Sequence, residues 1–353
     1  MCETGQVVSK DDLVLVTGGA GFIGSAVIAS LLERGFRHIR CLVRPSTSPR
    51  KIDALSALAS RDRLQLLRGN LLSPGDCLAA ADGAKLVVHL AAGRGEKSYP
   101  DAYLNSVVVT RNLLDACVQT GQIRRFVNVG SFVVYTNRNK PQFRLLDETC
   151  PTEPTGLARG EAYCFAKVKQ DDILFEYGRK HNLPFVIVRP GAVYGPGNLN
   201  ISGRVGIDTF GIFLHLGGSS FIPLSYIDNC ADAIVQAGLV PGIDGEIFNV
   251  VDDDLPTSRT FLRLYKRNVH PFPSWYVPKH ASYLLCWLWE RYSRWSEGQL
   301  PPGFNLSRWH ALWKKTTYSN QKLKSRAGWR QKVPTADALQ RYFAACRAEA
   351  NRA

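Results

Sequence analysis

Apolar residues recur along the first half of the chain in short runs, and each run is followed by a stretch with helical spacing. Leu13–Thr17 reads as a first strand, His38–Val43 as a second, Leu64–Arg68 as a third and Lys85–Leu90 as a fourth. Arg125–Gly130 gives a fifth and Phe185–Arg189 a sixth. Between them, Gly24–Arg34 and Ala102–Thr120 carry an amphipathic period, the latter ended by Gly121. A further helix follows a polar, proline-containing loop and includes Tyr163 and Lys167. Strands alternating with helices predict an α/β fold, a doubly wound parallel sheet with right-handed crossovers.

After Arg189 the pattern loosens. Pro190–Gly197 is turn-rich, and the Gly/Ser-rich stretch 203–220 has no clear period. Ile227–Gly238 and Ile247–Val251 read as a helix and strand that return to the sheet. Residues 258–353 are helix-dominated, with interruptions at Pro271, Pro273, Pro278, Pro301 and Pro302. The expected organisation is therefore an α/β core over 1–190 and a smaller, mainly helical part over 191–353, with 226–251 rejoining the core.

The chemistry begins between the first strand and its helix, in Thr17-Gly-Gly-Ala-Gly-Phe-Ile-Gly24. Gly18 permits a tight turn, Gly21 lets backbone amides approach a pyrophosphate, and Gly24 allows the helix to pack closely on the strand. The second strand then bears on the kind of dinucleotide. An acid at its carboxyl end would bond a ribose 2'-hydroxyl, but the strand runs into Val43-Arg44, followed by Ser46, Ser48, Arg50 and Lys51. This basic, hydroxyl-rich loop suits a 2'-phosphate, so NADP is favoured over NAD. Arg44 packing on an adenine ring is the alternative.

Tyr163 and Lys167 stand four residues apart, on one face of their helix, where an ammonium favours the phenolate. Ser131 precedes them as a hydroxyl partner. The alternative reading is a solvated lysine beside a half-buried tyrosine.

The glycine turn, His89-Leu-Ala-Ala92, Ser131 before Tyr135, Tyr163-x-x-x-Lys167 and Arg189-Pro-Gly-x-Val-Tyr-Gly-Pro-Gly197, in that order, resemble the extended short-chain dehydrogenase/reductase (NAD-dependent epimerase/dehydratase) family. The resemblance implies a Rossmann-type core with a Ser131, Tyr163, Lys167 triad at the carboxyl edge of the sheet. Tyr163 would exchange a proton with the substrate oxygen, Ser131 would hydrogen-bond it, and Lys167 would hold the nicotinamide ribose while lowering the tyrosine pKa. It also implies dinucleotide contacts from Gly18, Gly21, Phe22, Ile23 and Gly24 in the turn, and from Arg44, Asn70 and Leu71 beyond the second and third strands. Leu90, Ala91 and Ala92 beyond the fourth, with Tyr163, Lys167 and Pro190, complete the set. Asn70 stands where such enzymes usually have an Asp near the adenine amine, so that contact is expected to be weaker or rearranged. The loop between Ser131 and Tyr163, with Arg138, Lys140 and Arg144, looks long enough to reshape the substrate mouth.

The carboxyl-terminal third is similar to 3β-hydroxysteroid and sterol 4-carboxylate 3-dehydrogenases, through Tyr276-Val-Pro-Lys, Tyr283–Glu290, Pro301-Pro302, Tyr318-Ser-Asn-x-Lys-x-Lys and Gly328-Trp, with Tyr226–Ala233 upstream. That implies an apolar, ring-type alcohol or ketone. The Trp- and Tyr-rich segment 275–295 suits such a substrate, a membrane-surface helix, or ordinary core packing of a helical lobe. The competing reading is a nucleotide-sugar epimerase, dehydratase or reductase, with Arg204 and Arg259 on a diphosphate. A non-catalytic cofactor-binding protein is a remote third, opposed by the intact Ser131, Tyr163 and Lys167.

Composition narrows the rest. The formal charge is +14, and residues 301–353 hold eleven Lys or Arg against two Asp or Glu. A solvated face, an anionic ligand or an acidic membrane surface would each account for this. Nucleic acid is not expected, because no zinc finger, RNA-binding signature or basic zipper is present. The nine cysteines form no Cys-x-x-Cys or Cys/His metal spacing, which predicts reduced thiols and no metal. Met1–Gln6 is polar and Ala281–Trp289 is far shorter than the roughly 20 residues of a spanning helix. The expected setting is cytoplasmic, with peripheral membrane contact open, and the family resemblance makes a homodimer the expected assembly.

Overall fold

The computed structural model describes residues 5–60, 62–93, 98–139, 141, 144–209, 211–297, 299 and 304–351. Its centre is a sheet of seven parallel strands among the described residues: β1 (Leu13–Thr17), β2 (Ile39–Val43), β3 (Leu64–Arg68), β4 (Ala84–His89), β5 (Arg125–Val129), β6 (Phe185–Pro190) and β7 (Ile247–Val250). Their spatial order is β7-β6-β5-β4-β1-β2-β3. The runs are short and rich in Val, Leu and Ile, and they are largely buried on both faces, as strands covered by helices on either side must be, except at the β3 edge, where Gln65 and Arg68 are exposed.

On one face the helices Phe22–Glu33 and Ile227–Leu239 bury Val27, Ile28, Leu31, Ile234 and Val235 against Val14, Val16, Val88 and Val127. On the other, Pro74–Ala81, Val109–Thr120 and Ala162–His181 bury Ala80, Leu113, Leu114, Ile173 and Leu174 against Leu15, Val87 and Ile187. The strand order reverses between β1 and β4. That is the switch point at which an open α/β sheet leaves a crevice beyond its carboxyl ends.

Several expectations shift in detail. The first helix starts at Phe22, two residues earlier than its spacing suggests. The helix expected over 102–120 begins at Tyr99 and passes through a π-helical turn, Tyr103–Val108, before Val109–Thr120. The stretch 203–220 contains a hairpin, Gly206–Thr209 against Ile212–His215, to which Ser274–Tyr276 adds a parallel third strand. The helix-dominated region also contributes Thr317–Tyr318, paired with Leu145–Leu146. Lys140, Pro301 and Pro302 lie outside the described residues. β7 sits beside β6, and the helix Ile227–Leu239 leads to it.

Candidate functional site

The glycine turn closes against the loop after β4. Gly18 has φ +74°, and a Cβ there would meet Ala91 N at 2.9 Å and Leu90 C at 3.0 Å. Backbone therefore touches backbone across the switch point, and an L side chain would be strained as well as crowded. At Gly24 a Cβ would stand 2.2 Å from Gly18 O and 2.6 Å from Gly19 Cα, so only glycine lets the helix approach β1 this closely. The first helical bond runs from Ser25 N to Gly21 O. The amides of Phe22, Ile23 and Gly24 precede it and belong to the open, positive end of the helix.

β2 delivers Arg44 to the same edge, exposed. Beyond β3, the Asn70 amide oxygen accepts the Leu72 N–H at 3.1 Å, while Asp76 accepts the Asn70 N–H at 2.7 Å. The Asn70 side chain thus caps its own turn. Leu71 is nearly buried behind it, and Leu90, Ala91 and Ala92 line the crevice half-exposed.

Ser131 follows the end of β5 and begins a short 3-10 turn, Phe132–Val134, its hydroxyl accepting the Val133 N–H at 3.2 Å. Tyr163 lies in the first turn of the 20-residue helix Ala162–His181, half-buried. Lys167 is buried on the same helix. Its ammonium donates to Val129 O at 2.8 Å and lies 5.9 Å from the Tyr163 ring centroid. Ser131, Tyr163 and Lys167 therefore converge at the carboxyl end of β5.

The electrostatics differ from expectation. Burial pushes the Tyr163 phenol above its ordinary range, and it is the Ser131 hydroxyl that pulls it back. Lys167 is itself brought down to about 8, by burial first, with Asp171 acting in the opposite sense. The phenol is thus not lowered by the lysine in this arrangement: desolvation wins, and the ammonium is turned onto a β5 carbonyl.

Sequence reasoning missed a polar layer beneath these groups. His89, at the end of β4 and fully buried, bonds Thr17 Oγ1 through Nδ1 at 2.7 Å and Thr110 Oγ1 through Nε2 at 2.9 Å. Burial, aided by the Lys167 charge, lowers its pKa to about 3, so the ring is neutral. Gln170 donates to Thr110 Oγ1 at 2.7 Å and to Ser106 O. Asp171, one turn beyond Lys167, pairs with Arg189 at 2.7 Å, both buried, and the guanidinium lies 4.8 Å from the Tyr135 ring. The four-residue step from Lys167 to Asp171 was the available signal; the cross-strand partners had none.

Just past Pro190, a cavity of about 370 Å³ opens. It is lined by Ala192–Tyr194, by Asn198, Asn200 and Ser202, and by Val205, Ile222, Leu224, Phe261 and Tyr342, among others, with no charged side chain among its lining residues. Arg204 lies outside that lining: it donates to Ala311 O at 2.8 Å and to the Tyr318 hydroxyl at 3.3 Å. Arg259 stacks on Tyr276, 5.3 Å from its centroid. The two arginines expected on a diphosphate are thus engaged elsewhere.

A profile of the family described as "NAD dependent epimerase/dehydratase family" matches residues 14–250. Cinnamoyl-CoA reductase 1 of Oryza sativa subsp. japonica is 33% identical over 189 residues, 53% of this chain and 55% of that protein. A trifunctional UDP-glucose 4,6-dehydratase/UDP-4-keto-6-deoxy-D-glucose 3,5-epimerase/UDP-4-keto-L-rhamnose-reductase of Arabidopsis thaliana is 27% identical over 264 residues, 68% of this chain and 37% of that protein. The chain spans about half the length of the reductase and less of the trifunctional protein. Among solved structures, UDP-glucuronic acid 4-epimerase from Bacillus cereus, in complex with UDP-glucuronic acid and NAD, superposes with a TM-score of 0.71 at 20% identity, covering 96% of this chain and 99% of the epimerase. At that identity the likeness shows the fold alone.

Proposed function

The chain belongs to the NAD-dependent epimerase/dehydratase family, of the extended short-chain dehydrogenase/reductase type, whose members are NAD(P)-dependent oxidoreductases and epimerases; on that premise we propose that it transfers hydride at a secondary alcohol or ketone, using Ser131, Tyr163 and Lys167. One observation carries the reading. Lys167, buried and tied to Val129 O, brings its ammonium to the strand end that also presents Ser131 and faces the Tyr163 ring. A buried lysine is expensive to keep, and a site that needs its charge accounts for it.

The glycine cradle, where a Cβ at Gly18 or Gly24 would strike backbone, fits a dinucleotide pyrophosphate against the amides of Phe22, Ile23 and Gly24. Leu90, Ala91 and Ala92 would flank it, with Leu71 and Asn70 near the adenine, and Lys167 and Pro190 near the nicotinamide end. When bound, the dinucleotide supplies or accepts the hydride. Tyr163 holds the proton that passes to or from the substrate oxygen, and Ser131 bonds the same oxygen and the phenol. His89 keeps Thr17 and Thr110 in register behind the lysine, while Asp171 and Arg189 neutralise one another. The reading favours NADP over NAD, supported by a β2 that ends without an acid and by Arg44, exposed beyond that end, which would bond a 2'-phosphate.

The substrate reading that fits best is an apolar, ring-type alcohol or ketone, of the 3β-hydroxysteroid kind. Tyr194, Phe261 and Tyr342 offer flat apolar contacts in the cavity past Pro190, and Asn198, Asn200 and Ser202 offer neutral polar ones. A diphosphate would ask for cations there, and Arg204 and Arg259 are already engaged. The match to the Arabidopsis UDP-sugar protein, over 68% of this chain, favours the second reading, a nucleotide-sugar enzyme. Thermal shift separates the two. Stabilisation by NADP(H) together with an apolar cyclic ketone, and none by UDP or dTDP, is the expected result; stabilisation by UDP or dTDP would overturn the ring-type assignment.

A further inference from the structure

We propose that the outward face of the Lys279–Trp295 helix, continued by the Ser274–Tyr276 strand, docks on an anionic lipid surface; the proposal does not depend on which substrate is turned over. The helix is amphipathic in the wrong sense for a protein meeting only water. Its buried residues are Ser282, Cys286 and Ser293, and the Ser282 hydroxyl accepts the Trp309 indole N–H at 2.9 Å. At about 100° per residue, these small residues share one narrow stripe facing the Leu306–Leu312 helix. The opposite stripe carries Leu284, Leu285, Leu288, Tyr292 and Trp295, exposed by 53%, 59%, 49%, 49% and 77%. Trp275, 66% exposed, stands on the strand that leads into the helix. So much contiguous leucine and tryptophan at a surface marks a contact site.

The chemistry of the edges selects the occupant. Arg291 lies beside the leucine stripe with its guanidinium 5.1 Å from the Trp287 ring, and Arg294 pairs with Glu290 one turn back. His280 is exposed on that same side. Residues 258–297 hold seven Lys or Arg against two Glu, within a chain of net charge +14. Leucines for the acyl boundary, Trp and Tyr for the headgroup level, and cations for anionic headgroups are what an interfacial helix needs. No described helix is long and apolar enough to cross a membrane, so this one would lie in the plane of the surface. A second copy would bring the same positive edge against itself, which disfavours a dimer through this face.

The docked helix would sit close to the candidate site. It packs on Leu306–Leu312, whose Arg308 bridges to Glu161 at 2.9 Å, two residues before Tyr163.

The test is co-sedimentation of the full chain with phosphatidylcholine vesicles, with and without phosphatidylserine, read alongside the tryptophan emission maximum. Expected are binding to the serine-containing vesicles with a blue shift, weakening with salt, and loss of about tenfold or more in Leu284→Glu/Leu288→Glu. Arg291→Glu is expected to lose roughly tenfold on the same vesicles. Trp295→Ser, at a more exposed position, serves as a second variant, and an unchanged melting temperature certifies each fold. Binding that is absent, or equal on the two vesicle types and untouched by these changes, overturns the proposal. So does light scattering that finds a dimer split by Leu284→Glu without vesicle binding, since a second copy would then cover the face.

Discussion

Lys167→Met is predicted to stabilise the fold while abolishing the chemistry, a pairing that a structural lysine would not give. The folded ammonium titrates at about 8, against an ordinary 10.5, because burial opposes its charge. That difference, roughly 2.5 on the pH scale at about 1.4 kcal/mol each, means that holding the charge at pH 7 costs about 3 kcal/mol. The side chain is 4% exposed, so solvent screening takes little away. Loss of the bond to Val129 O returns about 1–2 kcal/mol, leaving the methionine variant ahead by about 1–2 kcal/mol at pH 7. The sign with pH follows from linkage. Below pH 8 the lysine is charged in both states and the full cost is felt; between pH 8 and 10.5 the unfolded chain binds more protons, so wild-type stability gains on the variant. Buried thiols such as Cys41 and Cys77, pushed up to about 12, weaken both proteins alike in that range and cancel in the difference. Urea unfolding at pH 7 and pH 10 reads it. A variant less stable than wild type at pH 7, by an amount independent of pH, would refute the reasoning.

The remaining predictions concern the cradle, the buried histidine and the cofactor. Gly24→Ala puts a Cβ 2.2 Å from Gly18 O, with backbone on both sides, and is expected to cost about 2–4 kcal/mol in urea unfolding and to weaken dinucleotide binding at least about tenfold in titration calorimetry. His89 titrates at about 3 when folded and near 6.5 when unfolded, so it contributes stability above pH 6.5 that is lost as pH falls towards 3; His89→Gln should flatten the acid limb of the stability profile by up to about 4 kcal/mol. Arg44→Asp should move the preference from NADP towards NAD in paired binding isotherms, and an unchanged ratio would remove Arg44 from the 2'-phosphate site.

All seven strands and the glycine turn were legible because a parallel strand packed between helices is a short, mostly apolar run, and a turn must be glycine where backbone meets backbone. The hairpin over 206–215 was not, since its strands are four residues long and set among glycines and serines. Asn70 and Lys167 illustrate a different limit. Their positions could be read, but the direction of each side chain depends on a neighbour brought by the fold: the Leu72 amide for one, the β5 carbonyl for the other. The aromatic helix was visible as composition alone, and which face it buried waited on Trp309.

The central claim is that Tyr163 moves the proton that accompanies hydride transfer. Single-turnover nicotinamide fluorescence on Tyr163→Phe, with a ketone that the wild type reduces, tests it most directly. Dinucleotide affinity within about twofold of wild type and a turnover lowered by about 10²–10⁴ is the predicted result; turnover within about twofold of wild type would contradict the account.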